Sequence, residues 1–210
     1  MQSSKVLDML NENRIDELKE ALRDEIFRES LLGKSDAKKR YTAMKRYLKT
    51  TSSARDILQK PCPVEFESKQ YMAFCNSYSL ALTTEGPGAL EICEEPERYP
   101  NVSKLVRFYS KEEKLDLDKV IAEAKSKGYK FKKSETMNNK YLMHYDGAYF
   151  RIALLDSTYG IIADGNKVTA YHMTGARKPL TIQNDIGICV IMPVFINDDL
   201  DEDAVVIETD

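Results

Sequence analysis

The amino-acid sequence predicts an α+β fold, and three observations carry that expectation. Two stretches each open with an amphipathic helical pattern and continue into strand-like runs, a tandem arrangement that suggests an internal duplication. The strand-like runs are short, rich in apolar residues and bounded by turn formers. The composition is that of an ordinary folded chain of 210 residues, 42% hydrophobic and 31% charged, long enough to bury a sizeable core. Disorder across the whole chain is thereby excluded. No run approaches 18 apolar residues, so no membrane-spanning helix is expected. The opening MQSSKVLDMLNENR lacks the apolar core of a secretory leader, and a cytoplasmic protein is expected.

The elements follow in chain order. Residues 3–11 and 14–32 have helical patterning: Ile15, Leu18, Leu22 and Ile26 recur at near-helical spacing, and Gly33 stands where a C′ residue would. Residues 1–34 are thus a helical extension, covering the next unit or making an oligomer contact. Ser35-Asp36 opens the first unit, 35–106, with the helix DAKKRYTAMKRYLK. Its Tyr41, Met44 and Leu48 form an apolar stripe. Beside it Lys38, Lys39, Lys45, Arg46 and Lys49 project within an arc of roughly 120°, at 100° per residue, with only Arg40 pointing elsewhere. Such a face is either simply solvated or a surface for nucleic acid. Pro61 and Pro63 precede two strand-like runs, VEF and QYMAFCNSYSLALT, and residues 85–100 are a turn-rich acidic connection.

The second unit, 107–196, carries the helix LDKVIAEAKSKG, capped by Asp116 or Asp118 and ending at Gly128. Leu117, Val120, Ile121 and Ala124 are its apolar side, with Lys119, Lys125 and Lys127 on the polar side. After KYLMHYDGAYF come a short helix around RIALLDSTYGI and three strand-like runs, KVTAYHM, PLTIQ and GICVIMPVFI. The last 14 residues hold seven acidic side chains and no basic one. The chain has 31 Lys and Arg against 34 Asp and Glu, so without that segment the body has 31 against 27, a net charge of +4. The segment 197–210 is either a solvated acidic tail or a competitor with DNA for a basic surface. A third alternative is that Val205, Val206 and Ile207 dock as a short edge strand.

Reactive chemistry has little to work with. There is no GxGxxG, GxxxxGK[ST], GxSxG or HExxH. The only histidines, His144 and His172, lie in Tyr- and Met-rich stretches as structural residues. Cys62, Cys75, Cys93 and Cys189 show no CxxC spacing, so reduced thiols acting as small hydrophobes are expected, with no metal and no cofactor.

Several segments, taken together and in order over about 36–196, resemble the bacterial DNA polymerase sliding clamp family. AFCNSYSLAL resembles the clamp's T-D-G-[HY]-R-L-A segment, with Asn76, Ser77, Tyr78 and Ser79 where the family has Asp-Gly-His-Arg. KKRYTAMKRYLKTTSSARDILQKPCPVEF precedes it as the helix, turn and strand of the clamp's middle domain do. ERYPNVSKLV is similar to the F-P-D-Y-x-x-[VL]-[LI] linker between the middle and last domains, and LDLDKVIAEAKSK to the helix after it. The stretch from Phe150 to Ile196 resembles the clamp's closing segment, with its YLLDAL-type helix and a last strand carrying [YV]-x-[VI]-M-P-[MV]. The connection before Pro100 is shorter than the family's, and the helices before residue 35 stand in place of the first clamp domain.

The resemblance implies a reduced, DNA-clamp-like fold of two shortened helix-plus-antiparallel-sheet units. It implies a non-enzymatic protein of DNA replication and processivity, as a monomer or homo-oligomer. Its peptide pocket would take linear motifs of DNA polymerase or other replication proteins. Carried across, the wall is Cys75, Ser77, Tyr78, Ser79 and Leu80, then Pro100, Lys104 and Leu105, then Ile191, Met192, Pro193 and Val194. The resemblance also makes helices the DNA-facing surface, so Lys38, Lys39, Lys45, Arg46, Lys49, Lys119, Lys125 and Lys127 would contact phosphates of duplex DNA without reading sequence. The alternative is a protein–protein adaptor on the same fold that binds no DNA.

Overall fold

The computed structural model describes residues 9–10, 14–51, 55–132, 138–173, 175, 177–196 and 203–209. The helices are α1 (Ile15–Ser30), α2 (Ser35–Leu48), α3 (Val102–Leu105), α4 (Leu117–Ser126) and α5 (Ile152–Tyr159). The strands are β1 (Cys62–Phe66), β2 (Lys69–Cys75), β3 (Ser79–Thr83), β4 (Lys111–Leu115), β5 (Tyr141–Tyr145) and β6 (Ala148–Arg151), followed by β7 (Val168–His172), β8 (Leu180–Gln183), β9 (Gly187–Ile191) and β10 (Val205–Glu208). The fold is α+β. Seven strands form one antiparallel sheet, ordered β1-β2-β3-β9-β8-β7-β4, and three form a second, ordered β10-β5-β6. The expected helix over 3–11 lies largely outside the described residues.

Strands of the two expected units share the large sheet. The meander β1-β2-β3 is joined to β9-β8-β7-β4 by the β3–β9 ladder, which runs from Ser79 opposite Ile191 to Thr83 opposite Gly187. Both strands are buried on both faces, so their alternation sorts side chains between two cores rather than between core and water. Ala81, Cys189 and Ile191 face the helices, where Tyr41, Met44, Tyr47, Leu154 and Leu155 pack on them. Leu80, Leu82, Ile188 and Val190 face the other way, under Leu58, Tyr99, Val102 and Val106.

The 99–108 segment straps that second face. The Tyr99 hydroxyl donates to the Ala73 carbonyl (3.2 Å) and the Thr181 hydroxyl to the Arg107 carbonyl (2.6 Å), while Phe108 meets Tyr171 edge-on at 4.9 Å. On the helical face, α2 and α4 each pack against α5. Tyr41 and Met44 are buried as the stripe requires, joined by Tyr47 and Ala43. Arg40, pointing away from the basic arc, is buried and pairs with Glu85 and the Ala163 carbonyl. Asp116 caps α4, its side chain accepting from the Lys119 amide at 2.9 Å.

One charged edge strand was not expected, and the C-terminal segment takes the third of its alternatives. The segment KEEKL forms β4, whose first four residues are exposed and charged with only Leu115 buried. An edge strand of this kind carries no apolar alternation to reveal it. The acidic segment is not simply a solvated tail, because Val205–Glu208 pairs in parallel with β5 and Ile207 is 1% exposed. Of the alternatives for this segment, the edge strand is the one formed. Asp203 pairs with Lys140 (3.0 Å) and Glu208 with His144 (2.7 Å). Its residues 197–202 and 210 lie outside the described ones.

His172 joins the two sheets. It is buried at the end of β7, and its Nδ1 lies 2.7 Å from Asp146 Oδ2 in the β5–β6 turn, where Lys111 of β4 also donates to Asp146 (2.9 Å). No helix among the described residues is long and apolar enough to cross a membrane.

Gly187 sets how closely β9 approaches β3. A Cβ there would sit 1.9 Å from the Leu82 carbonyl oxygen and 2.9 Å from Ile162 Cγ2, and the first obstacle is backbone that cannot swing aside. Gly187→Ala should therefore cost about 3 kcal/mol and lower Tm by roughly 6–12 °C for a chain of this size. Thermal unfolding followed by circular dichroism measures it; a Tm within about 2 °C of the parent would show that the ladder does not need this glycine.

Candidate functional site

The turn between β2 and β3 is built by Asn76. Its side-chain oxygen accepts from the Tyr78 and Ser79 amides (3.2 and 2.9 Å) and from Ser79 Oγ (3.0 Å), while its amide donates to Thr50 Oγ1 (3.0 Å). An Asx turn of this kind is what asparagine offers a sharp bend. Ser77 sits in it with φ of 75°, which leaves Ser77 and Tyr78 exposed. Beneath the turn, the Tyr47 hydroxyl donates to the Ser79 carbonyl (2.7 Å) and Thr158 Oγ1 to Ser79 Oγ (2.9 Å). Ser79 thus ties α2 and α5 to the same corner of the sheet. The Met192 amide then donates to the Tyr78 carbonyl (2.9 Å), extending β9 past the turn.

A cleft of about 320 Å³ opens beside this corner. Eight of the residues expected at a peptide pocket line it: Cys75, Ser77, Tyr78, Ser79, Leu80, Pro100, Leu105 and Met192. Leu80 is its floor, 2% exposed, while Leu105, Met192 and Tyr78 stand at the rim at 40%, 43% and 45%. Four expected residues do not line it. Ile191 is fully buried, because strand alternation sends it to the helical face between Val190 and Met192. Val194 is buried at a bridge to Tyr149, Pro193 precedes it half-buried, and Lys104 is exposed on α3 outside the cleft.

Three lining residues were not expected: Arg55, Leu58 and Val190. Val190 was legible, since it lies two residues before Met192 on one strand and shares its face. Leu58 and Arg55 come from the segment after α2, where no periodicity marks them. Arg55 Nη1 donates to Ser77 Oγ (3.0 Å) and supplies the one cationic group of the lining. The cleft is otherwise an apolar concavity with a few hydroxyls. Among the described residues no group of three His, Cys, Asp or Glu side chains is arranged to hold a metal.

The basic arc of α2 is not an open face. Lys45 Nζ pairs with Asp24 of α1 (2.8 Å), and Lys39 with Asp36 (3.0 Å). Arg46 turns toward α5, donating to the Asp156 carbonyl (2.9 Å) with its guanidinium 4.4 Å over the Phe131 ring. Lys38 and Lys49 are exposed but line a groove whose far wall is acidic α1. The expected common surface is therefore divided, because a helix that looked like an extension folds back over it. Burial alone would push the Asp24 carboxyl up, but hydrogen bonds from Lys45 and Tyr41 outweigh it and hold the carboxyl below its ordinary value. A depressed carboxylate contributes stability above the unfolded-state value, so this contact is present at neutral pH and lost in acid. On α4, Lys119 and Lys125 are exposed, and Lys127 pairs with Glu123 (2.9 Å).

All four cysteines are free and buried. Burial pushes the Cys75 thiol up, against smaller lowering effects of the Ser77 backbone and Arg55. It pushes Cys62 up to about 12 and Cys189 well above its ordinary value. A raised thiol has less thiolate at a given pH and reacts more slowly. Iodoacetamide at pH 8 should alkylate Cys75 at least tenfold more slowly in the folded chain than in urea, with the folded rate still climbing beyond pH 9. Equal rates in the two states, read by peptide mass spectrometry, would mean that the cleft does not shield the thiol. Compared with known proteins, the chain matches no family model, no curated protein and no solved structure.

Proposed function

We propose that this chain is a non-enzymatic, clamp-like docking protein of DNA replication, holding linear motifs of a polymerase or another replication protein in the cleft at the β2–β3 corner. One observation carries the reading. Eight residues singled out by resemblance to clamp pockets, spread from position 75 to 192, line a single cleft. Its volume lies at the lower end of small-ligand sites, roughly 300–1,000 Å³, which suits one or two anchor side chains. An apolar floor with a methionine at the rim fits Leu or Phe anchors, since the thioether adapts to either shape.

A second reading adds association with duplex DNA through helical lysines. The exposure of Lys38, Lys49, Lys119 and Lys125 favours it, and the pairing of Lys45 with α1 weighs against it in the resting fold. The adaptor reading keeps the cleft and dispenses with DNA.

A fluorescein-labelled peptide carrying adjacent Leu and Phe anchors should bind with micromolar Kd, about −8 kcal/mol. Met192→Asp would place an uncompensated charge at the apolar rim and weaken binding by about 100-fold or more. Because Met192 is 43% exposed, the thermal stability of the variant should stay near that of the parent. Undiminished anisotropy titration of a well-folded Met192→Asp protein would remove the cleft from the account.

A further inference from the structure

The contact between α1 and α2 has the charge pattern of a competitor seated in another ligand's place. Between the helices runs a groove of about 760 Å³, with Glu17, Glu20, Glu25, Glu29 and Arg28 on the α1 side and Lys38, Lys45 and Lys49 on the other. Arg28 pairs with Asp24 (3.3 Å) and Glu17 with Arg14, which leaves the α1 wall acidic on balance. Asp24 crosses it, meeting Lys45 at 2.8 Å and the Tyr41 hydroxyl at 2.9 Å. The same lysines are among those that would neutralise the phosphates of a bound duplex.

The hold of α1 on the body is limited. Leu18 is buried, and Phe27 packs on the Tyr41 ring at 4.6 Å, close against Gly88. Its outer side makes no such contacts: Ile15, Leu22 and Ile26 are 46%, 42% and 65% exposed. Asp24 and Lys45 are partly buried, at 16% and 26% side-chain exposure, so that pair holds more than an exposed one, while ion pairs between exposed side chains contribute little each. A helix with few buried contacts belongs to the part of a fold that opens at low free-energy cost, yet its attachment to α2 through residues 31–34 keeps its carboxylates at high effective concentration.

We propose that α1 is an intramolecular acidic cover over the basic face of α2, displaced when a polyanion such as the phosphate backbone of duplex DNA takes that face. The proposal rests on the DNA reading above. It moves the anion that competes with DNA from the C-terminal segment, where β10 is committed to the small sheet, to α1. The exchange is reciprocal: whatever weakens the carboxylate side strengthens phosphate binding by the same coupling free energy.

The test compares the parent, the Glu20→Gln/Asp24→Asn/Glu25→Gln variant, and that variant with Lys38→Glu/Lys45→Glu/Lys49→Glu added, each titrated with a 20-bp duplex at low salt. Neutralising α1 should tighten binding at least tenfold, with a log–log salt slope of roughly −2.7 for three phosphate contacts. Reversing the lysines should abolish it. Equal binding by parent and neutralised protein would leave the DNA reading standing and overturn the cover. No binding by either at low salt would overturn the DNA reading and the cover with it. Hydrogen exchange on the parent supplies a check that needs no variant: DNA should speed exchange of the amides of residues 15–30. Unchanged protection there in a DNA-bound parent would overturn the displacement.

Discussion

The β3–β9 ladder is the constraint on which the rest of this structure depends. It joins a meander from the first half of the chain to one from the second, and Gly187 lets the two backbones come close. The floor of the cleft is inherited from that pairing. Leu80 lies opposite Val190 in the register, and the Met192 amide is held on the Tyr78 carbonyl just beyond the last pair. Were the register to slip by one residue, Ile191 would take the cleft side and Met192 would turn toward the helices.

The corner is fixed from below by polar groups, which is unusual economy for a buried site. Ser79 accepts from Tyr47 of α2 and Thr158 of α5, and the Asn76 amide donates to Thr50 beyond the end of α2. A buried network in which each hydroxyl has a partner specifies one arrangement, because breaking any member leaves another unsatisfied in a dry interior. The helices therefore do more than cover the sheet. They lock the turn that presents Tyr78 and, through it, the position of Met192.

Much of this was legible in the sequence, and the gaps have physical causes. Helical periodicity located α1, α2 and α4, and apolar runs located β1 to β3 and β7 to β9, because those elements bury a face. β4 was not legible because KEEKL buries only Leu115. Eight of the twelve residues expected from motif resemblance line the cleft, and Ile191 does not because strand alternation overrides adjacency in sequence. Of the basic arc of α2, Lys38, Lys45 and Lys49 line the groove facing α1, while Arg46 turns toward α5. That the extension covers the next unit was one of two expectations for it, but which face it covers was not legible, because a pattern of charge within one helix does not say which side another helix returns over. Asp24 and Lys45 are 21 positions apart and meet where Phe27 packs on Tyr41 and the Tyr41 hydroxyl donates to Asp24.

The most direct test of the central claim, that the cleft at this seam is a peptide-docking site, is methyl NMR with selectively labelled Met and Leu side chains. Titration with an unlabelled Leu-Phe peptide should shift the methyl resonances of Met192, Leu105 and Leu80 while leaving those of Met44 and Leu154, buried on the helical face, in place. Shifts confined to other methyls, or none at millimolar peptide, would contradict it.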